Sequence, residues 1–384
     1  MSQLTNLFAE AVQAMRQIAE PDEKALALSQ IASTLASHDR TQALALLDDA
    51  LRFVRQIDDP SWQLSVLLTV ISAFAIVDAE QVVRLMKDLP SETTQVLALT
   101  DAAERLMERD KATALRFLRD ALRIAQSIRD PDSRDEAMAA VVEAWALADA
   151  DEALKLADQI RDIAQRASAL TAIARTLSSF DALRAKAIAQ QASELAKRLQ
   201  DAEEKAMLLD DLIETLSALD TEQALTLAEM QPFPDRKAVA YGVIAQALLA
   251  RNEAERAKAL LAKAADIARK VKDPDRQASA WRNLATVMAC LDAEQALNWA
   301  RQIRDRDWRD WTFGDIAAVL AERDAETALE VAEQIHDLQE RSSALADIAI
   351  AIGRTDFSRA LSLARQIPDA FYQVQALCQL ANLC

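Results

Sequence analysis

The sequence predicts an all-α protein, an α-solenoid in which pairs of antiparallel helices stack one after another. Its 384 residues include only three Gly and eight Pro, while 51% are hydrophobic. This composition is typical of a nearly all-helical chain and argues against disorder. Two further observations support the prediction. A helix-start pattern recurs about ten times, and apolar residues recur at steps of three and four.

Residues that can cap a helix define the repeat. A side chain at such a position accepts hydrogen bonds from the free amides of the first helical turn. In six of the ten copies Gln or Glu follows three residues later, which completes a capping box, and in eight of ten Ala follows four residues later. The predicted caps are Asp39, Asp78, Asp110, Asp149, Asp181, Asp220, Asn252, Asp292, Asp324 and Asp356.

The spacing between caps predicts alternating short and long repeats. Successive spacings are 39, 32, 39, 32, 39, 32, 40, 32 and 32 residues. Seven residues are two helical turns, or about 10 Å, so the longer helices keep the same buried face. The predicted long second helices are Asp39–Ile57, Asp110–Ile128, Asp181–Leu199 and Asn252–Val271.

The first helix of each repeat carries an apolar stripe, in columns that run from Leu28 to Leu377 and from Ile31 to Leu380. These patterns predict about 22 helices in a single domain, residues 1–384. Residues 1–19 are predicted to cap the array as a second helix without a first, 20–372 to form ten helix pairs, and 373–384 to be an unpaired first helix. Because end repeats normally need a polar cap, we expect another copy, a partner or further repeats to cover that last helix.

The repeats resemble tetratricopeptide (TPR) repeats, with HEAT-like repeats as the neighbouring possibility. The segment Trp281-x2-Leu284-Ala285-x2-Met288 follows the first part of the TPR signature, and Ala43-x3-Leu47 follows the second. The periods of 32 and 39 depart from the 34 residues of that family. The resemblance implies a right-handed superhelix whose first helices line a concave groove that holds peptides or protein segments. Prolines stand where the signature ends with one: Pro60, Pro131 and Pro274.

The formal net charge of −17 disfavours nucleic acids and anionic membranes as partners, since both would repel the chain. A repeat protein that binds RNA would need a basic groove. The N-terminus lacks the basic start and apolar run of a secretory signal, and no uncharged apolar stretch is expected to reach a membrane-spanning length. A cytoplasmic location is therefore expected.

The sequence predicts no catalytic, metal or cofactor site. His38 and His336 each lack a neighbouring Cys or His in the sequence. The three cysteines have neither metal-ligand nor disulfide spacing. No phosphate-binding or nucleophile motif is present. One enzyme alternative stays open, a helical-repeat lyase or hydrolase with a pair of carboxylates. It would require a closed pocket and a strongly shifted acid.

One position in the first turn of the first helix carries Trp62, Trp308 or Tyr372 in three repeats, and Trp311 lies on the same face as Trp308. These side chains either staple the loop between repeats or anchor a partner. The next residue is predicted to hydrogen-bond to the preceding turn, because it is Lys, Arg or Gln in every repeat: Lys24, Gln63, Gln95, Arg134, Arg166, Lys205, Lys237, Gln277, Arg309, Arg341 and Gln373.

Specificity is expected where repeats differ, on the groove side of the first helices. The lead hypothesis is a non-enzymatic scaffold or adaptor that binds a basic or amphipathic protein segment in a mostly acidic groove. A solvated face without a guest, and a structural solenoid that self-assembles through the C-terminal helix, are the alternatives. The candidate binding residues are Glu104, Glu143, Arg175, Asp210, Glu214, Gln246, Arg282, Trp308 and Trp311.

Overall fold

The computed structural model describes residues 3–383, which form 22 α-helices and no strand. First and second helices alternate along the chain and pack in neighbouring pairs, which confirms the all-α, TPR-like helix-pair fold. The right-handed twist stays a prediction. The first helices are α2 Pro21–Leu35, α4 Pro60–Val77, α6 Glu92–Leu106, α8 Pro131–Ala146, α10 Ile163–Leu177, α12 Ala202–Leu219, α14 Pro234–Ala250, α16 Pro274–Ala289, α18 Arg306–Ala321, α20 Leu338–Gly353 and α22 Ala370–Ala381.

The second helices have two lengths. Four of them, α3, α7, α11 and α15, have 15 to 17 residues, whereas the six after the other first helices have 7 to 9. The helices in question are α3 Arg40–Val54, α5 Ala79–Leu85, α7 Lys111–Ser127, α9 Ala150–Ala157, α11 Ala182–Ala196, α13 Thr221–Glu229, α15 Ala254–Ala268, α17 Ala293–Ala300, α19 Ala325–Ala332 and α21 Phe357–Ala364. A 3-10 turn, Met86–Asp88, follows α5.

The nine predicted aspartate caps are confirmed, whereas the tenth predicted cap, Asn252, is wrong. All nine aspartates accept a hydrogen bond from a backbone amide of the helix that they start. Asn252 does not cap α15, because this repeat has one extra residue before the helix. Asn252 takes a left-handed conformation there (φ 62°), which Asn tolerates better than most residues, and Glu253 precedes the helix without a side-chain cap bond.

The residue after the first-turn aromatic position was predicted to hydrogen-bond to the preceding turn. Three glutamines at this position confirm the prediction. The Nε2 atoms of Gln63, Gln277 and Gln373 donate to carbonyls at the end of the preceding second helix, each with one bond at 3.0 Å. Such bonds satisfy carbonyls that a helix end leaves free. Trp62 adds a staple between repeats, since its Nε1 donates to Asp22 Oδ2 at 2.8 Å.

The chain, predicted as a single repeat domain, divides into two compact units. Unit 1 comprises the described residues within Met1–Pro90, Asp101–Ala114 and Phe313–Cys384. Unit 2 comprises Ser91–Thr100 and Leu115–Thr312.

In unit 1, the two ends of the chain form one helix pair. Helix α1 (Gln3–Met15) packs on α22 as a second helix packs on its first helix, and α22 also packs on α20 and α2. The Glu10 carboxylate accepts two hydrogen bonds from Arg365, at 2.7 and 2.9 Å, and this bonding lowers the pKa of Glu10. The buried residues of these helices include Leu7, Phe8, Ala11, Ala14, Val374, Leu377, Cys378 and Leu380.

The prediction of an unpaired helix at 373–384 is therefore wrong. Helices α1 and α22 bury apolar side chains against each other, in addition to the contacts of α1 with α2 and of α22 with α21. The face of α22 that was expected to require another copy is covered by the same chain.

Helix α4 also corrects an expectation. Its 18 residues contain no charged side chain, so by length and composition alone it is long and apolar enough to cross a membrane. In unit 1, eight of its residues are buried, and it packs on α2, α3 and α5. A helix in a protein core and a membrane span are both surrounded by an apolar environment, so composition alone does not distinguish them.

A few buried polar side chains tie a first helix to the start of the next repeat. Asp135 is 3% exposed, and its Oδ2 accepts hydrogen bonds from the amides of Arg161 and Asp162 at 2.9 and 2.8 Å. At the matching position in unit 1, Ser342 Oγ accepts from the Asp369 amide at 3.3 Å. These residues occupy a position that is Ala or Val in most repeats.

Candidate protein-binding site

Three cavities in the described part of the chain are lined mainly by residues of first helices. In unit 2, one cavity of about 490 Å³ lies among α8, α10 and α12, and one of about 350 Å³ lies among α12, α14 and α16. In unit 1, a cavity of about 380 Å³ lies between α4 and α6. These volumes are in the range of small-ligand and side-chain pockets.

The first of these, which we name the acidic cavity, is lined by four carboxylates and no basic side chain: Asp132, Asp162, Glu204 and Asp211. Met207, which is 56% exposed, and the buried Leu208 add an apolar surface. Loss of hydration raises the pKa of Asp211, Arg175 opposes this effect, and the Glu214 and Glu143 carboxylates reinforce it. The cavity therefore combines a concentrated negative charge with an apolar wall.

The second cavity in unit 2, the arginine cavity, has balanced charge. Arg236 donates to Asp210, which also accepts a hydrogen bond from Gln231 Nε2 at 2.7 Å. Burial raises the pKa of Asp210, although the Arg236 hydrogen bond opposes the shift. Arg276 lies 5.0 Å from the ring centre of Phe233 and 3.3 Å from Glu203 Oε1. The residues that line the arginine cavity are Asp210, Asp235, Arg236, Val239, Arg276, Ser279 and Ala280.

The predicted binding residues lie on first helices, and two of them, Glu143 and Arg175, form an ion pair with each other. Glu143 on α8 accepts a hydrogen bond from Arg175 on α10. Glu214 and Gln246 are exposed, and Glu104 lines the α4–α6 cavity of unit 1 together with Asp101. Of the nine predicted residues, Glu104 in unit 1 and Asp210 in unit 2 line a cavity described above.

Trp308 and Trp311 form a T-shaped pair with ring centres 5.0 Å apart. Both are half-buried, and the Arg282 guanidinium lies 5.8 Å from the Trp311 ring centre. Part of each tryptophan surface is thus already used inside unit 2. The remaining exposed part keeps both residues as candidate partner contacts.

Sequence reasoning missed the residues of the acidic cavity. Asp211 occupies the same place in its helix as Asp101, and both line a cavity. This column of polar residues was a usable signal. Asp162 could not be singled out, because as the N-cap of α10 it accepts a hydrogen bond from the Gln165 amide and resembles every other cap.

One acid with a strongly shifted pKa lies outside the cavities described above. Glu229 on α13 accepts hydrogen bonds from Lys237, from Lys263 at 2.8 Å and from the hydroxyl of buried Tyr241. These partners lower the pKa of Glu229 to about 2. Lys263 also donates to the Tyr241 hydroxyl at 2.8 Å, so the cluster links α13, α14 and α15. A carboxylate held in its charged form by two lysines stabilises the fold and is poorly suited to accept a proton.

We expect this cluster to make unit 2 less stable as the pH falls from 4.5 to about 2, across the range between the ordinary and the lowered pKa of Glu229. A carboxylate whose folded pKa is depressed stabilises the folded state above its unfolded pKa, and that stabilisation is lost as the carboxylate is protonated. Glu229→Gln should have a lower melting temperature than the wild type at pH 7, and the difference should shrink towards pH 2. Exposure of Glu229 keeps the effect modest.

The control for that measurement is Glu222→Gln, which removes an exposed carboxylate from the same helix. Melting curves by circular dichroism across the pH range provide the comparison. A constant gap between wild type and Glu229→Gln at every pH would contradict the assignment.

No known protein family matches the chain, and no curated protein matches it. Several solved structures are similar to it, and two of them follow. Ton1535 from Thermococcus onnurineus NA1 is 18% identical with a TM-score of 0.31, covering 79% of this chain and 96% of that one. A Rap protein complexed with competence and sporulation factor is 13% identical with a TM-score of 0.34, covering 93% of this chain and 99% of that one. Both TM-scores are low, so the fold assignment rests on the helix pairs themselves.

Proposed function

We propose that the protein is a non-enzymatic interaction scaffold that binds a basic segment of a partner protein on the first-helix side of unit 2. The acidic cavity is the observation that carries this proposal. Four carboxylates line it without a basic side chain, and Met207 and Leu208 lie beside them.

A lysine or arginine side chain matches this arrangement in two ways. Loss of hydration and the neighbouring acids Glu214 and Glu143 destabilise the charged form of Asp211. The positive end of the guest side chain stabilises that charged form. Its aliphatic stem packs on Met207 and Leu208 while the charge stays among the carboxylates. The flexible Met207 side chain can adapt to different guests.

Binding is favoured over catalysis by the way Asp210 is held. The enzyme alternative needs a strongly shifted acid free to exchange a proton in a closed pocket. Asp210, the more buried of the two adjacent cavity acids, is fixed by hydrogen bonds from Arg236 and Gln231. An acid anchored in this way positions helices α12 and α14.

The test is binding of a short fluorescent peptide built from Lys, Leu and Ser, measured by anisotropy at low and physiological salt. We expect salt-dependent binding to the wild type, because charges across an interface are screened. The double variant Glu204→Gln/Asp211→Asn should weaken binding about tenfold, which corresponds to about 1.4 kcal/mol.

The matched control is Glu255→Gln/Glu294→Gln, which removes the same charge from exposed positions on the second helices α15 and α17. It should bind nearly as tightly as the wild type. Equal weakening by both double variants would mean that only net charge attracts the peptide. Equal binding of an otherwise identical Glu-containing peptide would also reject the proposal.

A further inference from the structure

Unit 2 exposes large apolar side chains at one edge, away from the acidic cavity. Leu183 is 87% exposed and Phe180 is 69% exposed, both where the chain turns into α11. In the preceding repeat, Leu147 is 47% exposed where the chain turns from α8 into α9. Scattered exposed apolar residues are ordinary, but a cluster of them commonly marks an interaction site.

The repeat itself does not require an apolar residue at Leu183. This residue stands two positions after the Asp181 cap, where the other repeats have polar or small side chains. Those residues are Thr41, Glu80, Ala112, Asp151, Glu222, Ala254, Glu294, Glu326 and Ser358. Because Leu183 buries almost no surface, it adds little to the stability of the fold.

Hydrogen bonds hold this edge in place. Arg184, the neighbour of Leu183, donates to Asp151 and so joins the first turns of α9 and α11. Asp181 accepts from the Arg184 amide at 3.1 Å, and Asp149 accepts from the Asp151 amide at 2.9 Å. The turn that contains Leu147 is therefore held beside the turn that contains Phe180 and Leu183.

Acidic groups flank the apolar residues. Asp149, Asp151, Glu152 and Asp181 lie at these two helix starts. The basic side chains there are already paired, Arg184 with Asp151 and Lys155 with Glu152 at 2.9 Å. A second copy of this chain would bring the same negative charge against the edge, and like charges directly opposed disfavour association.

We propose that Leu147, Phe180 and Leu183 form a second docking surface, which binds the apolar face of an amphipathic helix with lysine or arginine along its borders. The exposed phenyl ring serves as the anchor, since aromatic residues concentrate binding energy at interfaces. The net negative charge of these two helix starts, where four carboxylates face Arg184 and Lys155, selects the basic borders. This surface is independent of the acidic cavity.

The test uses a synthetic amphipathic helical peptide of leucine and lysine that carries a photoreactive group, cross-linked to the full chain and mapped by mass spectrometry. We expect cross-links in the turns around residues 147 and 180–184. The double variant Phe180→Ser/Leu183→Ser should lower cross-linking there about tenfold or more, in line with the loss of interface anchors.

The exposed positions let the variant keep its fold, which a circular-dichroism melt checks. The control is Val83→Ser/Leu338→Ser, which removes exposed apolar side chains at other places, in unit 1. It should leave cross-linking at the edge unchanged. Glu204→Gln/Asp211→Asn should affect only cross-links near the acidic cavity, so the two proposals can fail separately.

Three outcomes would overturn the inference. One is cross-linking at the edge that survives Phe180→Ser/Leu183→Ser. Another is a dimer, seen by light scattering, that this variant abolishes, since the occupant would then be a second copy. The third is flotation of the wild type, but not the variant, with phosphatidylcholine vesicles, since the occupant would then be a membrane.

Discussion

Replacing Phe8 by alanine is expected to lower the free energy of unfolding by about 3–5 kcal/mol, the usual cost of removing a buried phenylalanine from a core. Phe8 is 6% exposed and belongs to α1, the helix that covers α22. Urea unfolding followed by circular dichroism measures the change. We also expect Cys378, which is 1% exposed on α22, to react faster with a thiol reagent.

Cys378 is a sensitive reporter because burial raises the pKa of its thiol to about 12. A thiol with so little thiolate and so little access reacts only when the helix pair opens. The measurement uses a Cys290→Ser/Cys384→Ser background, which leaves a single thiol. Ala9→Ser, at an exposed position of the same helix, is the control, and an unchanged Cys378 rate in Phe8→Ala would refute the role of α1.

Replacing Asp135 by alanine is expected to cost about 2–5 kcal/mol, since the partly buried amides of Arg161 and Asp162 both lose their acceptor. Asp135→Asn keeps an acceptor of the same shape, so it should cost less than half as much. Hydrogen exchange of the two amides gives a local measurement. It complements urea unfolding, which need not be two-state in a repeat array.

Glu136→Ala is the matched control for Asp135→Ala, because Glu136 is the exposed neighbour on α8. Its effect should stay within about 0.5 kcal/mol. Similar exchange rates in Asp135→Ala and Glu136→Ala would mean that the two hydrogen bonds contribute nothing.

The fold could be predicted from sequence because the repeat tests each assignment about ten times. A single Asp39 is weak evidence for a helix start, whereas nine aspartates in register are strong evidence, and all nine cap a helix. The prediction failed at Asn252, where one inserted residue changes the turn. Repeats specify what their members share, and they say little about a position at which one member differs.

The terminal helices were misassigned for a different reason. The patterns identified α1 as a second helix without a first, and 373–384 as a first helix without a second. That each is the other's partner requires contact between the two ends of the chain, which a periodic pattern of near neighbours does not contain. The sequence indicated one unpaired helix at each end of the array. That these two helices pack together depends on the tertiary structure of unit 1.

The candidate site was less predictable than the fold. The column that contains Asp101 and Asp211 was a signal for the polar face that the sequence analysis did not use. Whether a charge on that face is available depends on side-chain partners, as the pairing of Glu143 with Arg175 demonstrates. In the acidic cavity, three helices bring four carboxylates together, and no basic side chain lines the cavity.

The joining of α1 to α22 has a consequence for folding during synthesis. Glu10 and Arg365 are 355 residues apart in the chain, whereas Asp151 and Arg184, in neighbouring repeats, are 33 apart. Helix α1 leaves the ribosome long before its partner α22 does. Contacts so distant in sequence form slowly, so α1 is expected to dock after the array between the ends has folded. Until then its apolar side depends on α2 alone, and a nascent chain halted before α22 would carry that unburied surface at its oldest end.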